Sequence, residues 1–277
     1  MPDEAMKAPL LTLEVLETLR AAARAGAASV ECSLDLQRSI TRVEAGVSAW
    51  NWNGEPFPYP ESCKDRTIYH WDGESFKPVA RFTSSLIKLV PTQWGPPTFE
   101  IDGIKMLPTA HGSPYADAER KVGLIEPRGK LILDTCGGLG YFAAWCLQAK
   151  ADHVLSFEKN RDVIWLRSLN PWSPETGSGL TLSEGDVAAQ IATLPGASVD
   201  AILHDPPRFG TAGELYSQVF YDQLARVLKR RGKLFHYIGT PNKLTSGRDV
   251  PNEVAKRLRH AGFVVDFNGD GVLAVRR

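Results

Sequence analysis

Four cysteines in 277 residues, Cys32, Cys63, Cys136 and Cys146, are too few and too scattered for a disulfide framework. None falls in a CxxC spacing, so no zinc cluster and no other metal site is expected, and a reducing cytoplasm is the expected compartment. No apolar run approaches the ~20 residues that a membrane-spanning helix requires. The opening Met1-Pro-Asp-Glu-Ala-Met-Lys7 is acidic and lacks the basic-then-apolar order of a secretory leader. Net charge is absent too, with 32 Lys and Arg against 32 Asp and Glu. Residues 1–123 carry 13 basic and 16 acidic side chains and residues 124–277 carry 19 and 16, a split of −3 and +3. That asymmetry is too small to argue for a polyanionic partner. A basic patch on a neutral protein stays open. A hydrophobic content of 43% supports a sizeable core, as one large domain or two smaller ones.

The first 123 residues read as one helix plus a mainly β unit. Leu10 to Ala25 places Leu10, Leu13, Leu16 and Leu19 at helical spacing and ends near Gly26. Residues 29–36 and 40–47 alternate as a short strand pair. The stretch from Trp50 to Pro60, rich in Trp, Asn, Gly and Pro, reads as loop. Asp72-Gly73 predicts a hairpin between residues 67–71 and 76–82. Two more strands are expected at 85–90 and 98–101.

After residue 124 strands alternate with helices. Strands are expected at 130–133, 153–157, 180–182, 199–203 and 233–238. Helices are expected at 141–147, 160–169, 187–194, 214–229 and 251–260. The fourth of these has Leu215, Val219, Phe220, Leu224, Val227 and Leu228 on one face and Gly232 as its terminator. Residues 263–267 and 272–275 close the chain as a hairpin. Repeated β-α units imply a mostly parallel sheet covered by helices. The expected organisation is an N-terminal helix plus β-rich unit over 1–123, forming a substrate wall, and an α/β domain over 124–277.

The chemistry concentrates at strand ends. Leu131-Ile-Leu-Asp-Thr-Cys-Gly-Gly-Leu-Gly140 is a buried strand running into a glycine-rich turn and a helix, an arrangement that in α/β sheets serves a dinucleotide, a phosphate or plain packing as a tight turn with no ligand. Glu158, Gly185-Asp186 and His204-Asp-Pro-Pro-Arg-Phe209 follow the second, third and fourth strands. This order resembles the class I S-adenosylmethionine-dependent methyltransferases, whose Rossmann-like, seven-stranded, mostly parallel sheet ends in an antiparallel hairpin. Their first motif is Asp-x-Gly-x-Gly-x-Gly. Asp134, Gly138 and Gly140 match it, and Cys136 stands at the first glycine. The resemblance implies S-adenosyl-L-methionine as cofactor, held by Asp134, Cys136, Gly138, Gly140, Glu158, Asp186 and Asp205. Glu158 would take the ribose hydroxyls and Asp186 the adenine amino group. The run from His204 to Gly239, together with Leu169-Asn-Pro-Trp172, also resembles a poorly characterised group of predicted methyltransferases common in archaea.

Asp-Pro-Pro after a strand is a rigid corner, because two prolines fix φ and remove two N–H donors. The Asp205 carboxylate and the Pro206 carbonyl can therefore accept hydrogen bonds from a substrate amine, and transfer to nitrogen is expected. Arg208 could stack on a base, pair with a carboxylate or phosphate, or cap the loop. Phe209 brings the aromatic one residue later than the family pattern. His204 is either a proton acceptor or a histidine bonded to backbone. His236 and Tyr237 are either substrate contacts or wall packing. Methylation at a pyrimidine C5 is disfavoured, because it needs a cysteine nucleophile and no cysteine follows Cys146.

The substrate stays open among RNA, a protein side chain and a small molecule, and so does the oligomeric state. The aromatics from Trp50 to Trp94, with Lys64, Arg66, Lys77, Arg81 and Lys88 interleaved, either contact single-stranded RNA or fill the first unit's core. Aminopropyl transfer on the same fold is the second enzymatic reading. Pro206, Pro207 and Arg208 stand against it, where extra Asp residues would form a polyamine pocket. A non-catalytic binding module is the third reading, opposed by Asp134, Glu158, Asp186 and Asp205.

Overall fold

The computed structural model describes residues 8–110, 112–239 and 249–277. Residues 1–7, on which the leader expectation rests, lie outside that set. The chain divides into two compact units: Met1–Tyr115 with Ser168–Trp172, and Ala116–Arg167 with Ser173–Arg277. No helix among the described residues is long and apolar enough to cross a membrane.

The first unit holds β1 (Leu10–Leu11), α1 (Leu13–Arg24), β2 (Val30–Cys32), β3 (Thr41–Ala45), β4 (Ala49–Trp52) and β5 (Glu55–Pro58). β6 (Tyr69–Trp71), β7 (Phe76–Pro78), β8 (Ala80–Phe82), β9 (Leu86–Val90), β10 (Thr98–Ile101) and β11 (Ile104–Lys105) follow. They form three small sheets, ordered β1-β6-β7, β2-β3-β4-β5 and β11-β10-β9-β8. The first helix starts later than its apolar spacing suggests. Thr12 caps it through Val15 N–H, which frees Leu10 and Leu11 to pair with His70 and Tyr69.

The stretch from Trp50 to Pro60 is not a loop. β4 and β5 form a hairpin about Asn53-Gly54, both at positive φ (53° and 85°). Its aromatics face inward. Trp50 is fully buried, and its ring stacks on Phe57 at 4.7 Å and Phe76 at 6.0 Å. Trp71 meets Phe57 edge-on at 5.4 Å. These rings belong to the core of the first unit.

The second unit begins in α2 (Pro114–Ile125), inside which residue 123 lies. β12 (Leu131–Asp134), α3 (Tyr141–Gln148), β13 (His153–Glu158), α4 (Arg161–Leu169) and β14 (Leu180–Glu184) follow. Then come α5 (Val187–Gln190), β15 (Val199–His204), α6 (Gln218–Val227), β16 (Leu228–Tyr237), α7 (Val250–His260), β17 (Phe263–Asn268) and β18 (Gly271–Arg276). The seven strands make one sheet in the order β14-β13-β12-β15-β16-β18-β17. β12 to β16 pair in parallel, and β18 joins antiparallel to β16 and β17. The strand order reverses at β12, between β13 and β15, the kind of crevice where open α/β sheets bind ligands.

The helix expected over 214–229 is shorter. A 3₁₀ turn covers Gly213–Tyr216, Ser217 caps α6, and the helix ends at Val227. Val219 is 73% exposed rather than part of the apolar face. Leu228 is fully buried and pairs with Val199 as the first residue of β16, so core packing overrides helical continuation. Gly232 lies inside that strand instead of ending the helix.

Candidate functional site

Asp134 ends β12 with Ser156 on one side and Leu203 on the other. It is fully buried; Oδ2 accepts from Ser156 Oγ at 2.9 Å, and Oδ1 has no partner. Burial pushes its carboxyl from 3.8 up to about 6, against the pull of the Ser156 hydroxyl and the Arg167 guanidinium. Arg167 comes from α4, is 4% exposed, and leaves Nη1 and Nη2 without partners. Burial holds its pKa down, opposed by Asp134 and Glu158.

The glycine turn closes over these groups. A Cβ on Gly140 (φ 81°) would stand 2.5 Å from Arg167 Cζ, and one on Gly137 would stand 2.4 Å from Ser156 Oγ. Gly138 N–H donates to Glu158 Oε2 at 2.9 Å, and Asn160 N–H donates to Oε1 at 2.8 Å. Burial raises the Glu158 pKa, and those N–H groups offset it. Asp186 caps α5 through Ala188 N–H at 2.9 Å and pairs with Lys159 Nζ at 2.7 Å, and that ammonium holds its carboxyl below the usual range. Asp134, Glu158 and Asp186 thus follow three adjacent strands, and Cys136 and Gly138 lie in the turn. Burial drives the Cys136 thiol well above its ordinary value, so it offers no ready thiolate.

Asp205 follows β15, and sequence reasoning missed what faces it. Lys121 Nζ, in α2, sits 3.6 Å from Asp205 Oδ2, 2.7 Å from Asp117 Oδ2 and 4.0 Å from Asp270 Oδ2. The ammonium lies 4.0 Å from the Tyr237 ring centroid, and its side chain is 1% exposed. Arg120 spans Asp117 at 3.0 Å and Asp270 at 2.7 Å from outside. Burial works to lower the Lys121 pKa, but Asp205, Asp117 and Asp270 raise it above 10.5. Burial raises Asp205, and Lys121 pulls it down. Three carboxylates face two cations, which leaves one negative charge. The Asp205 side chain keeps 22% of its surface open.

His204 points away from this cluster. It is fully buried, with Nδ1 2.7 Å from Thr135 Oγ1 and Nε2 3.1 Å from the Leu215 carbonyl. A carbonyl only accepts, so Nε2 carries the proton and Nδ1 accepts from Thr135. Burial lowers its pKa to about 3. His236 is also buried, donating from Nδ1 to the Tyr237 carbonyl at 2.8 Å and accepting from Tyr221 OH at 2.9 Å. Pro206 is buried and Arg208 exposed. Phe209 meets Tyr216 edge-on at 5.5 Å, and Tyr216 OH donates to the Pro207 carbonyl at 3.0 Å.

No family model matches the chain. An uncharacterised protein of Methanocaldococcus jannaschii is 43% identical over 195 residues, which span 70% of this chain and 66% of that relative. That match fits the resemblance to a poorly characterised archaeal group. Two spermidine synthase structures share the fold. One, in complex with the transition-state analogue AdoDATO, gives a TM-score of 0.58 at 15% identity, covering 72% of this chain and 73% of its own. The other, from Thermotoga maritima, gives 0.55 at 16% identity, covering 72% of each chain. Structures of S-adenosylmethionine-dependent methyltransferases also match, at TM-scores of 0.45, too low for a shared fold to be read from them. The chain therefore has a Rossmann-like α/β fold of the kind the spermidine synthases use.

The residues present fit S-adenosyl-L-methionine. A glycine cradle lies beside Asp134 Oδ1 and Arg167 Nη1 and Nη2, which have no partners and offer a buried acceptor and buried cationic donors. Glu158, half-buried at the next strand end, has acceptor capacity beyond its two N–H partners.

Proposed function

We propose that this chain is an S-adenosylmethionine-dependent methyltransferase that transfers the methyl group to an amino nitrogen. The observation that carries this reading is the ammonium of Lys121 lodged against Asp205, inside a cluster that keeps one excess negative charge. A place built this way recognises amines. The cofactor, when bound, supplies an electrophilic methyl on a sulfonium. Asp134, Cys136, Gly138, Gly140, Glu158 and Asp186 would hold it. Asp205 and the Pro206 carbonyl orient the acceptor N–H so that the nitrogen lone pair faces the methyl, and positioning is the main catalytic demand. Arg208, exposed beside the corner, contacts the rest of the acceptor. His204 takes no proton from it, because both ring nitrogens are engaged; instead it braces Thr135 at the start of the glycine turn.

A small-molecule or protein amine suits the cluster better than RNA, since Trp50, Phe57, Tyr69 and Phe76, rings that could have stacked on bases, fill a core, and Phe82 is exposed apart from them. The second reading, aminopropyl transfer, draws on the fold shared with spermidine synthase. It also draws on Asp117 and Asp270, carboxylates supplied by elements other than the one after β15. The buried Arg167 favours the first reading, because its positive charge suits a donor that retains its carboxylate.

Calorimetry with S-adenosylmethionine and its decarboxylated form separates the two. Tighter binding of the intact form is expected, weakened about tenfold or more in Asp134→Ala and Glu158→Ala, in line with lost hydrogen bonds to charged groups. Asp205→Ala is expected to spare that binding and abolish label transfer to amines. Preference for the decarboxylated form would replace methyl with aminopropyl transfer, and binding of neither would end both readings.

A further inference from the structure

Lys121 is an unusual tenant. An ammonium is seldom buried in a helix face, and here it reaches three carboxylates contributed by three separate segments. We propose that Lys121 is a positioning residue for the acceptor: it keeps Asp205 ionised and aimed, so that the open side of that carboxylate meets the incoming amine. The inference rests on the proposed reading of Asp205 as the acceptor-side carboxylate.

The geometry supports this in three ways. Asp117 lies closer to Lys121 than Asp205 does, 2.7 Å against 3.6 Å, so the ammonium is anchored on its own helix while it faces Asp205. Tyr237 covers the ammonium from β16 at 4.0 Å, which fixes the side chain and keeps water from it. The groups around Asp205 and Lys121 come from several elements. Asp117 and Arg120 come from α2, Tyr237 from β16, Asp270 from the turn before β18, Asp134 from β12 and Cys136 from the turn after it. Asp117, Asp134 and Asp270 favour a protonated Asp205. Arg120 is committed to Asp117 and Asp270, which leaves Lys121 to oppose them. Without Lys121, a half-buried carboxylate beside three others would take up a proton and lose its hold on an ammonium.

The test is a titration of the full-length protein carrying ¹³C-carboxyl aspartate, with the Asp205 resonance identified by its loss in Asp205→Asn. Lys121→Met, which nearly conserves volume, is expected to raise the Asp205 midpoint by about one pH unit or more, a tenfold change in proton affinity. The acid limb of kcat/KM for the amine should move with it, while calorimetric affinity for S-adenosylmethionine stays unchanged. Lys121→Arg should restore both. Asp205→Asn gives an independent arm that does not depend on the Met variant folding: by reciprocity the Lys121 ammonium, followed with ¹⁵N-labelled lysine, should lose its proton at lower pH once Asp205 is neutral. An unmoved Asp205 midpoint in a folded Lys121→Met protein, or an unmoved Lys121 midpoint in Asp205→Asn, would overturn the proposal. Failure of the wild type to bind S-adenosylmethionine would instead sink the functional reading and leave the titration standing.

Discussion

The two units bury different things. The first closes over rings: Trp50, Phe57, Tyr69 and Phe76 form its centre, and its buried charge, Glu100, is met by Arg66 and by Lys88 at 3.4 Å. The second buries Lys121, Asp134, Arg167, His204 and His236, and leaves Asp134 Oδ1 and two Arg167 nitrogens without partners. The unpaired buried atom of the first unit, Trp50 Nε1, is a neutral donor, whereas those of the second unit belong to ionisable groups. Buried charge that is not compensated costs stability and persists where chemistry needs it. That contrast in charge supports the proposed site in the second unit without reference to any motif.

The largest effect that could break this contrast lies in the first unit. Trp50→Ala should cost about 3–5 kcal/mol, as large-to-small changes of a buried aromatic do. The loss should be independent of pH between 5 and 8, because nothing ionisable is released. Denaturant unfolding at several pH values checks both points. A loss below about 1 kcal/mol would mean that the stacked rings are not the centre of that core.

The second unit should respond to pH instead. The folded-state pKa of Asp134, about 6, lies above its ordinary 3.8, so the folded form holds the proton more tightly. Its contribution is present at low pH and is lost as pH rises from about 3.8 to about 6, an effect of about 3 kcal/mol at 1.4 kcal/mol per unit. Asp134→Asn removes the titrating group. Stability curves of the two proteins should therefore converge at acid pH and separate toward neutrality, with the wild type the less stable. Parallel curves would remove Asp134 from the uncompensated set.

How far this was legible in the sequence follows the same division. The first four parallel strands are legible because each is a short apolar run leading to Asp134, Glu158, Asp186 or Asp205, with glycines marking turns. The β4–β5 hairpin was hidden by its Trp and Pro content, although Asn53-Gly54 is a strong turn signal. The helix α2 escaped notice for a more telling reason. Its inward stripe is Ala118, Lys121, Val122 and Ile125, and a lysine at a core position breaks the apolar period. The residue that hides the helix is the one that faces Asp205, so one local violation concealed both a structural element and part of the site. Asp117 and Asp270 could not be joined to Asp205 by any spacing, because tertiary folding alone brings them together.

The smallest predicted effect sharpens the comparison most, because its sign is opposite. His204 has a folded-state pKa of about 3, below its ordinary 6.5, so folding requires the neutral ring. Its contribution is present above pH 6.5 and is lost as pH falls toward 3. Between pH 6.5 and 5 that amounts to about 2 kcal/mol. Over pH 5 to 6 the His204 loss and the Asp134 gain oppose each other at about 1.4 kcal/mol per unit each, so the wild type hides both. His236, held neutral by burial and by His204 at 4.4 Å between ring centroids, adds a further acid-side loss. In Asp134→Asn the masking gain is gone, and stability should fall more steeply on acidification. In His204→Gln the fall should become shallower by about one proton. If neither slope changes, the buried histidines and the buried aspartate are not titrating against the fold. The second unit would then differ from the first in composition alone, not in how its buried charge is compensated.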